Sequence, residues 1–579
     1  MCGVEGSLVG EEILRLRETP LSLRLAPLRM TVFLHCLHGN RRMLWYFCRM
    51  FIRRYRTESL IAIAAAAIAA CWLPIRMRFP FDDTYITFRY AANLAHGFGI
   101  VWNAGGAHTE GYTNFFLVLL LAPFSALGWD LVAVSQAIGV IAVVVSAIAI
   151  YRIVAQTSVR ESQAWSQTKV CGTFAVALFL LDPFTWFNAY SGMETSLFTM
   201  WLLLSLLAFA QHRTPLAFAF ATLATLTRPE GALMGMMLIA VACGSSLPTR
   251  RSLKAVATWF VLPLLLYAGW KLWYFGNLLP NSFYIKVAQA QEATFFPGRG
   301  TIRIFYEGVW YLLPFAFIAA RKRWTNRVVR IAVLWCVLLS AFYLYSQLIQ
   351  NEYQRFTNSI EVLLILLIGM GLAAARTSIR SKWIWGAAFV ALLALHILWP
   401  LYARGGLGYI QRTDEEQNSY PRVAEVFRSI PNHGAITLAW GDAGRLPYFS
   451  GMLSIDPVGL NTNEIAHAHS ADEVIGYILR SKPDLIIIPL MLPKEDTISN
   501  DTCRRVLSYG HGRIGSAYPA LARAVLATTY KPIAILPQSI YDLDLLADTT
   551  SPHYRDIVNT IVPRIGHDSN FERPATCIQ

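Results

Sequence analysis

Long apolar runs recur through the first two thirds of the chain, and short clusters of Arg and Lys separate them. A segment that crosses a bilayer as a helix needs about 20 mostly apolar residues, because every backbone polar group must be satisfied inside the segment. Runs such as SLIAIAAAAIAACWLPI (59–75) come close to that length. The chain is 55% hydrophobic and 15% charged, against about 25% charged in ordinary soluble domains. A polytopic helical membrane protein follows. The net charge of +14 would fit a nucleic-acid partner, but the cations stand between apolar runs, as the positive-inside rule requires of cytoplasmic loops. No nucleic acid is expected.

The basic clusters set the sides. Residues 1–57 are a basic leader with Arg41, Arg42, Arg49, Arg53, Arg54 and Arg56, read as a cytoplasmic membrane-surface segment. Met30 and Met43 are alternative starts within it. Residues 58–402 form the membrane domain, with a large first outer loop at 76–112. FFLVLLLAPFSALG (115–128) is short and holds Pro123, so it is expected to be interfacial or re-entrant. Residues 214–245 are apolar but flanked by cations at both ends, and TRPEG (227–231) interrupts them, which predicts a hairpin of two short helices. At about 1.5 Å rise per residue its apex lies deep, where Arg228 and Glu230 would be costly without a partner. RKRWTNRVVR (321–330) is the strongest inside signal. About eleven helices are expected. Residues 403–579 then fall outside as a soluble α/β domain, with strands in AITLAWG (435–441) and DLIIIPL (484–490) and a helix in ADEVIGYILRS (471–481). Of nine Cys, only Cys503 and Cys577 lie in that polar region, where an oxidising compartment would permit pairing.

With this topology, five polar stretches from distant parts of the chain reach the outer face: 79–114, 182–195, 276–286, 350–358 and the TRPEG apex. FPFDDTYITFRY (79–90) places Asp82 and Asp83 side by side at the membrane edge. A carboxylate there suits a general base acting on an acceptor hydroxyl. Outside the cytoplasm a sugar donor must be lipid-borne, as a polyprenyl phosphate. Its departing phosphate needs cations, which Arg228, Lys286 and Arg355 could supply.

FDDTYITFRYAANLAHGFGIVWN, EGYTN (110–114), SGMET (191–195), RPEG (228–231), YFGNLLPNSFYIK (274–286) and GDAGRLPYFSG…DPVGL (441–460) resemble the GT-C superfamily of membrane glycosyltransferases. The likeness is greatest to the mycobacterial terminal arabinofuranosyltransferase type and covers roughly residues 59–470. It implies a polyprenyl-phosphate sugar donor, an envelope glycan or glycolipid acceptor, inversion at the anomeric carbon, and a catalytic acid in the first outer loop. That acid corresponds to the Asp82–Asp83 pair, with Asp82 slightly preferred because Asp83 stands nearer the expected helix start. Arg89, Glu110, Tyr112, Asn114, Glu194, Glu230, Asn281 and Tyr284 are the candidate substrate contacts. The resemblance places the chain in the cytoplasmic (inner) membrane. The long leader departs from the pattern.

Each of these residues also has a plainer role. Asp83 can cap the helix that follows it, Arg89 can snorkel, and Glu110 and Glu194 can serve helix N-termini. Arg228 and Glu230 can be a structural ion pair. Lys286 can anchor an interface, and Asp442 and Asp456 can serve turns. No HExxH-like spacing occurs among the twelve His, so no protein-built metal site is expected; no cofactor is required, although a donor phosphate can recruit a divalent cation through few ligands. The competing classes are a membrane transporter and another lipid-dependent envelope transferase. The first lacks a matched pair of broken helices or an inverted repeat. The second lacks a metal cluster with a nucleophilic Ser or Thr.

Overall fold

The structure of the chain is a computed structural model. It describes residues 56–78, 80–159, 165–243, 249–285, 299–346, 351–375, 382–411, 414–490, 514, 517–536 and 542–565. Lys286, Met30, Met43, Cys503, Cys577 and almost the whole basic leader lie outside the described residues.

Helices occupy the apolar runs. Among the described residues, five are long and apolar enough to cross a membrane: Leu131–Gln156, Arg250–Phe275, Arg299–Lys322, Arg327–Tyr345 and Gly386–Ala403. A sixth span forms if Lys169–Leu181 and Pro183–Tyr190, bent by 57° at their break, count as one. The sequence reading has a straight segment over 170–187. The bend arises at Asp182, whose carboxylate accepts the backbone N–H groups of Phe184 and Thr185 and starts a new helix with Pro183 in its first turn. Asn358–Leu372, Thr195–Ala210 and the two arms of the hairpin are apolar but shorter than a full crossing. The hairpin is present as Thr214–Thr227 and Gly231–Cys243, with Arg228 extended at its apex (φ −151°, ψ 134°). Proline at position 229 disfavours helical backbone at the residue before it. Phe115–Ala126 is a short helix containing Pro123.

The C-terminal region carries strands β1 (Thr437–Ala439), β2 (Leu453–Ile455), β3 (Leu485–Leu490), β4 (Tyr530–Leu536) and β5 (Asp542–Asp548). They form one mixed sheet in the order β2-β1-β3-β5-β4. β1 pairs in parallel with β2 and β3, and β5 runs antiparallel to β3 and β4. Alternate residues of β3 enter two cores. Leu485 and Ile487 meet Phe427 of helix Asp414–Arg428 and Ile557 of helix Tyr554–Ile565. Ile486 and Ile488 join Ile478 of helix Ala471–Ser481 and Leu521 of helix Tyr518–Leu526. A strand buried on both faces reads as a continuous apolar run, which is what LIIIPL is.

β2 is an edge strand, and the first loop covers it. Asn103 accepts the Ser454 N–H at 2.9 Å and donates to the Ser454 carbonyl at 3.0 Å, taking the place of a neighbouring strand. Arg89 ties the same surfaces together. Its guanidinium donates to the carbonyls of Trp102, Pro447 and Met452 and to the Asn103 side chain. The snorkelling role open to Arg89 is therefore not taken; every arm of the fork holds a backbone or amide oxygen.

Candidate functional site

Helix Asp82–Ala95 begins at the aspartate pair itself. Phe81 holds the N-cap position with no side-chain cap bond, so neither aspartate is the cap. Adjacent residues on a helix point about 100° apart, and the two carboxylates go to different neighbours. Asp82 turns to the C-terminal region, where its oxygens accept the backbone N–H groups of Gly444 (3.0 Å) and Arg445 (2.9 Å). Burial, and then the nearby Asp442 carboxylate, raise its pKa to about 7. Asp83 turns instead to Arg355, with Oδ2 at 2.9 Å from Nη2. The Asp83 side chain keeps 29% exposure while that of Arg355 keeps 9%, so the carboxylate is the part of this pair that a substrate can reach.

Arg355 is delivered by an unusual backbone. Tyr353 and Gln354 both have positive φ, 52° and 56°, in a region that non-glycine residues seldom occupy. The Tyr353 carbonyl is held by the Asn188 amide at 2.8 Å. The guanidinium lies over Phe81 and Phe356, 4.7 and 4.9 Å from the ring centroids.

Arg228 lies over the same Phe356 ring at 4.8 Å. Its fork reaches Glu194 Oε1 at 3.2 Å and Glu230 Oε1 at 3.0 Å, and its side chain is 5% exposed. Tyr343 donates to Glu230 Oε1 at 3.1 Å. Asn114 donates to Glu194 Oε2 at 3.0 Å and is itself bonded to Thr87. Asp83, Arg355, Arg228, Glu194, Glu230 and Asn114 thus meet around Phe356, from four of the five polar stretches. Glu194 occupies the N-cap position of helix Thr195–Ala210 but makes no side-chain cap bond, because Arg228 and Asn114 hold its carboxylate. The two arginines differ in availability. Arg228 is committed to two carboxylates, whereas Arg355 has one, at the open edge of the cluster.

Glu110, Tyr112, Asn281 and Tyr284 do not join these residues. The Glu110 carboxylate meets Lys271 Nζ at 2.6 Å, with both side chains buried. Asn281 donates its backbone N–H to the Glu110 carbonyl at 3.0 Å and its amide to the Leu460 carbonyl at 3.2 Å. Tyr112 is buried against Tyr90, and Tyr284 stands over His467. Gly111 separates Glu110 from Tyr112 because the Asn461 amide occupies its Cβ position; an added Cβ would stand 1.9 Å from Asn461 Oδ1. Sequence reasoning passed over Lys271, although a lone cation in LPLLLYAGWKLWYF is itself a signal. It also passed over Phe356 and Tyr343, which no local pattern distinguishes from core aromatics.

Burial raises the Glu110 pKa to about 7, and the Lys271 ammonium is the largest opposing influence. A protonated carboxyl band assignable to Glu110 should therefore vanish from the infrared spectrum as pH rises through about 7, and be missing in Glu110→Gln. Lys271→Met should move that transition to higher pH. An unmoved transition would mean that the ammonium is not what holds the carboxylate charged.

Among the described residues, Asp182, Glu361 and His396 could between them offer a metal three ligand atoms. Each of the three is already hydrogen-bonded within the protein. Glu361 receives the Arg404 fork at 2.6 and 2.8 Å, and Asp182 caps a helix. His396 Nε2 faces the Leu178 carbonyl and must donate to it, which leaves Nδ1 to accept from the Tyr311 hydroxyl. The three side chains belong to a buried hydrogen-bond network with Arg404 and Tyr311.

The chain aligns over 85% of its length with ArnT from Cupriavidus metallidurans bound to undecaprenyl phosphate, covering 98% of that chain at 13% identity and a TM-score of 0.52. The apo state of the same protein aligns over 85% of this chain and 97% of that one, at 15% identity and a TM-score of 0.50. The chain shares the fold of that protein. An arabinofuranosyltransferase, AftD from Mycobacteria, is a more distant match at 14% identity and a TM-score of 0.46, with 85% of this chain and 42% of that chain covered. Two family models match parts of the sequence: a GPI transamidase subunit family, PIG-U, over residues 102–299, and a domain of unknown function, DUF8728, over 409–554. A search of curated proteins gives no match. The apolar helices, with the fold shared with ArnT, make the chain a multi-pass membrane protein.

Proposed function

We propose that the chain is an inverting glycosyltransferase that moves a sugar from a polyprenyl-phosphate donor to an envelope glycan or glycolipid acceptor. In this reading the site faces the outside of the cytoplasmic membrane, the leader is cytoplasmic, and residues 403–579 are extracytoplasmic. The observation that carries it is Asp83: a partly exposed carboxylate on the first loop, paired with the one cation of the cluster, among the described residues, that is not doubly neutralised. A donor phosphate draws Arg355 from Asp83. The freed carboxylate takes the proton of the acceptor hydroxyl as its oxygen attacks C1. The C1–O bond to phosphate breaks on the opposite face, and polyprenyl phosphate leaves with the electron pair, its charge met by Arg355. Arabinofuranose is one candidate sugar, and nothing in the site selects it.

The test is to incubate purified protein with a panel of polyprenyl-phosphate sugars and acceptors and to measure free polyprenyl phosphate. Arg355→Ala should raise the donor KM and lower turnover strongly, since a guanidinium–phosphate contact is a charge-assisted one. Wild-type kinetics in that variant would remove Arg355 from the donor site. A second reading, that the chain serves as a non-catalytic subunit of a lipid-anchor transferase, is favoured by the PIG-U match over residues 102–299. Release of polyprenyl phosphate by the purified chain alone decides against it.

A further inference from the structure

We infer that the loop Gly441–Arg445 of the C-terminal region positions the base, with Asp82 as the link that couples it to Asp83. This rests on the reading of Asp83 as the base. Three contacts join the loop to the first turn of helix Asp82–Ala95. The Asp82 carboxylate takes two consecutive backbone N–H groups, Gly444 at 3.0 Å and Arg445 at 2.9 Å. The Arg445 guanidinium donates back to the Pro80 carbonyl, two residues before Asp82. The Gly444 Cα packs directly on the Asp82 backbone: an added Cβ would stand 2.0 Å from the Asp82 carbonyl oxygen and 2.3 Å from Oδ2. The approach is therefore open only to glycine.

The loop is itself held from behind. It follows β1 directly, so the sheet fixes its start, and Tyr420 donates to Asp442 at 2.9 Å. Asp82 and Asp83 share a peptide bond. Fixing the backbone and side chain of the first sets the direction of the second, and thus whether its carboxylate reaches Arg355. An Asp-Asp pair then has a division of labour: one carboxylate accepts the loop's amides, the other meets the substrate. The groups facing Asp82 are Asp442 and Arg445 from the loop and Asp83 and Tyr85 from its own helix. With its pKa raised to about 7, Asp82 loses charge, and with it part of its hold on the two amides, as pH falls through neutrality.

The experiment compares wild type with Asp82→Asn and Gly444→Ala in detergent. Asp83 reactivity toward a water-soluble carbodiimide with an amine nucleophile is mapped by mass spectrometry, alongside undecaprenyl phosphate binding and turnover. Both variants should stay monodisperse and bind undecaprenyl phosphate near the wild-type level. Asp83 labelling should rise several-fold as the carboxylate leaves Arg355, and kcat should fall by roughly 10–100-fold with little change in donor KM. The acid limb of kcat near neutral pH should be lost in Asp82→Asn, which no longer titrates there. Gly444→Ala leaves every charge in place and carries the test if Asp82→Asn does not fold; misfolding of both variants would overturn the inference, since the loop would then be structural only. Unchanged Asp83 labelling in a folded variant also overturns it. Failure of wild type to bind undecaprenyl phosphate would strike the donor reading instead, and the labelling comparison would still decide the coupling.

Discussion

Asp83→Asn should abolish most turnover, by a factor of roughly 10²–10⁴, while the protein still binds undecaprenyl phosphate. The substitution keeps the shape of the side chain and removes its basicity. It also removes the charge that holds Arg355 at 2.9 Å, so the guanidinium becomes freer for phosphate and lipid binding should hold or tighten. That combination separates a base from a structural ion pair, because loss of a structural pair would weaken folding and binding together. The measurement is single-turnover kinetics with a polyprenyl-phosphate sugar, run beside direct lipid binding on the same preparation. Near-normal turnover in the Asn variant would leave FPFDDTYITFRY as a docked interfacial helix without a chemical role.

Arg228→Ala should cost on the order of 3–5 kcal/mol of stability, far more than Arg355→Ala. Arg228 is the common counter-charge of Glu194 and Glu230, at 3.2 and 3.0 Å, with side-chain exposures of 5%, 3% and 18%. Removing it strands two carboxylates in a region where neither can be hydrated freely, and it withdraws a cation from the faces of Phe198 and Phe356. Arg228→Lys should rescue only part of the loss, because a single ammonium cannot bridge both carboxylates as a planar fork does. Thermal unfolding of the detergent-solubilised variants reads this directly. If Arg228→Ala unfolds like wild type yet loses donor turnover, Arg228 is a phosphate ligand and not the keystone of the cluster.

Much of the fold was legible because its signals are local. The hairpin at 214–245 followed from two basic flanks and one Arg-Pro step, and the structure has Arg228 extended there between two helices. β1 and β3 lie inside the two apolar runs picked as strands. The span count was less legible. Each expected apolar run carries a helix, but Thr195–Ala210, Thr214–Thr227 and Gly231–Cys243 have 16, 14 and 13 residues, below the ~20 that cross a bilayer. Apolar character alone does not separate a full crossing from a helix buried by its neighbours.

What the sequence determined by itself is the class of molecule, a chain of apolar helices and a C-terminal α/β sheet, and the set of polar motifs worth attention. Hydropathy, β-branching and charge placement are properties of contiguous residues, so they survive without a fold. What only the tertiary structure decided is the partner of each charge. Sequence reasoning preferred Asp82 as the base on an assumed helix start two residues later than the one in the structure. In the structure Asp82 meets Gly444 and Arg445, and Asp83 meets Arg355. Glu110 found Lys271 instead of a helix terminus, and Glu194 found Arg228. These pairs join residues from 34 to 363 positions apart. A carboxylate's chemistry depends on the cation or amide within about 3 Å of it, and that distance exists only once the distant segments have packed.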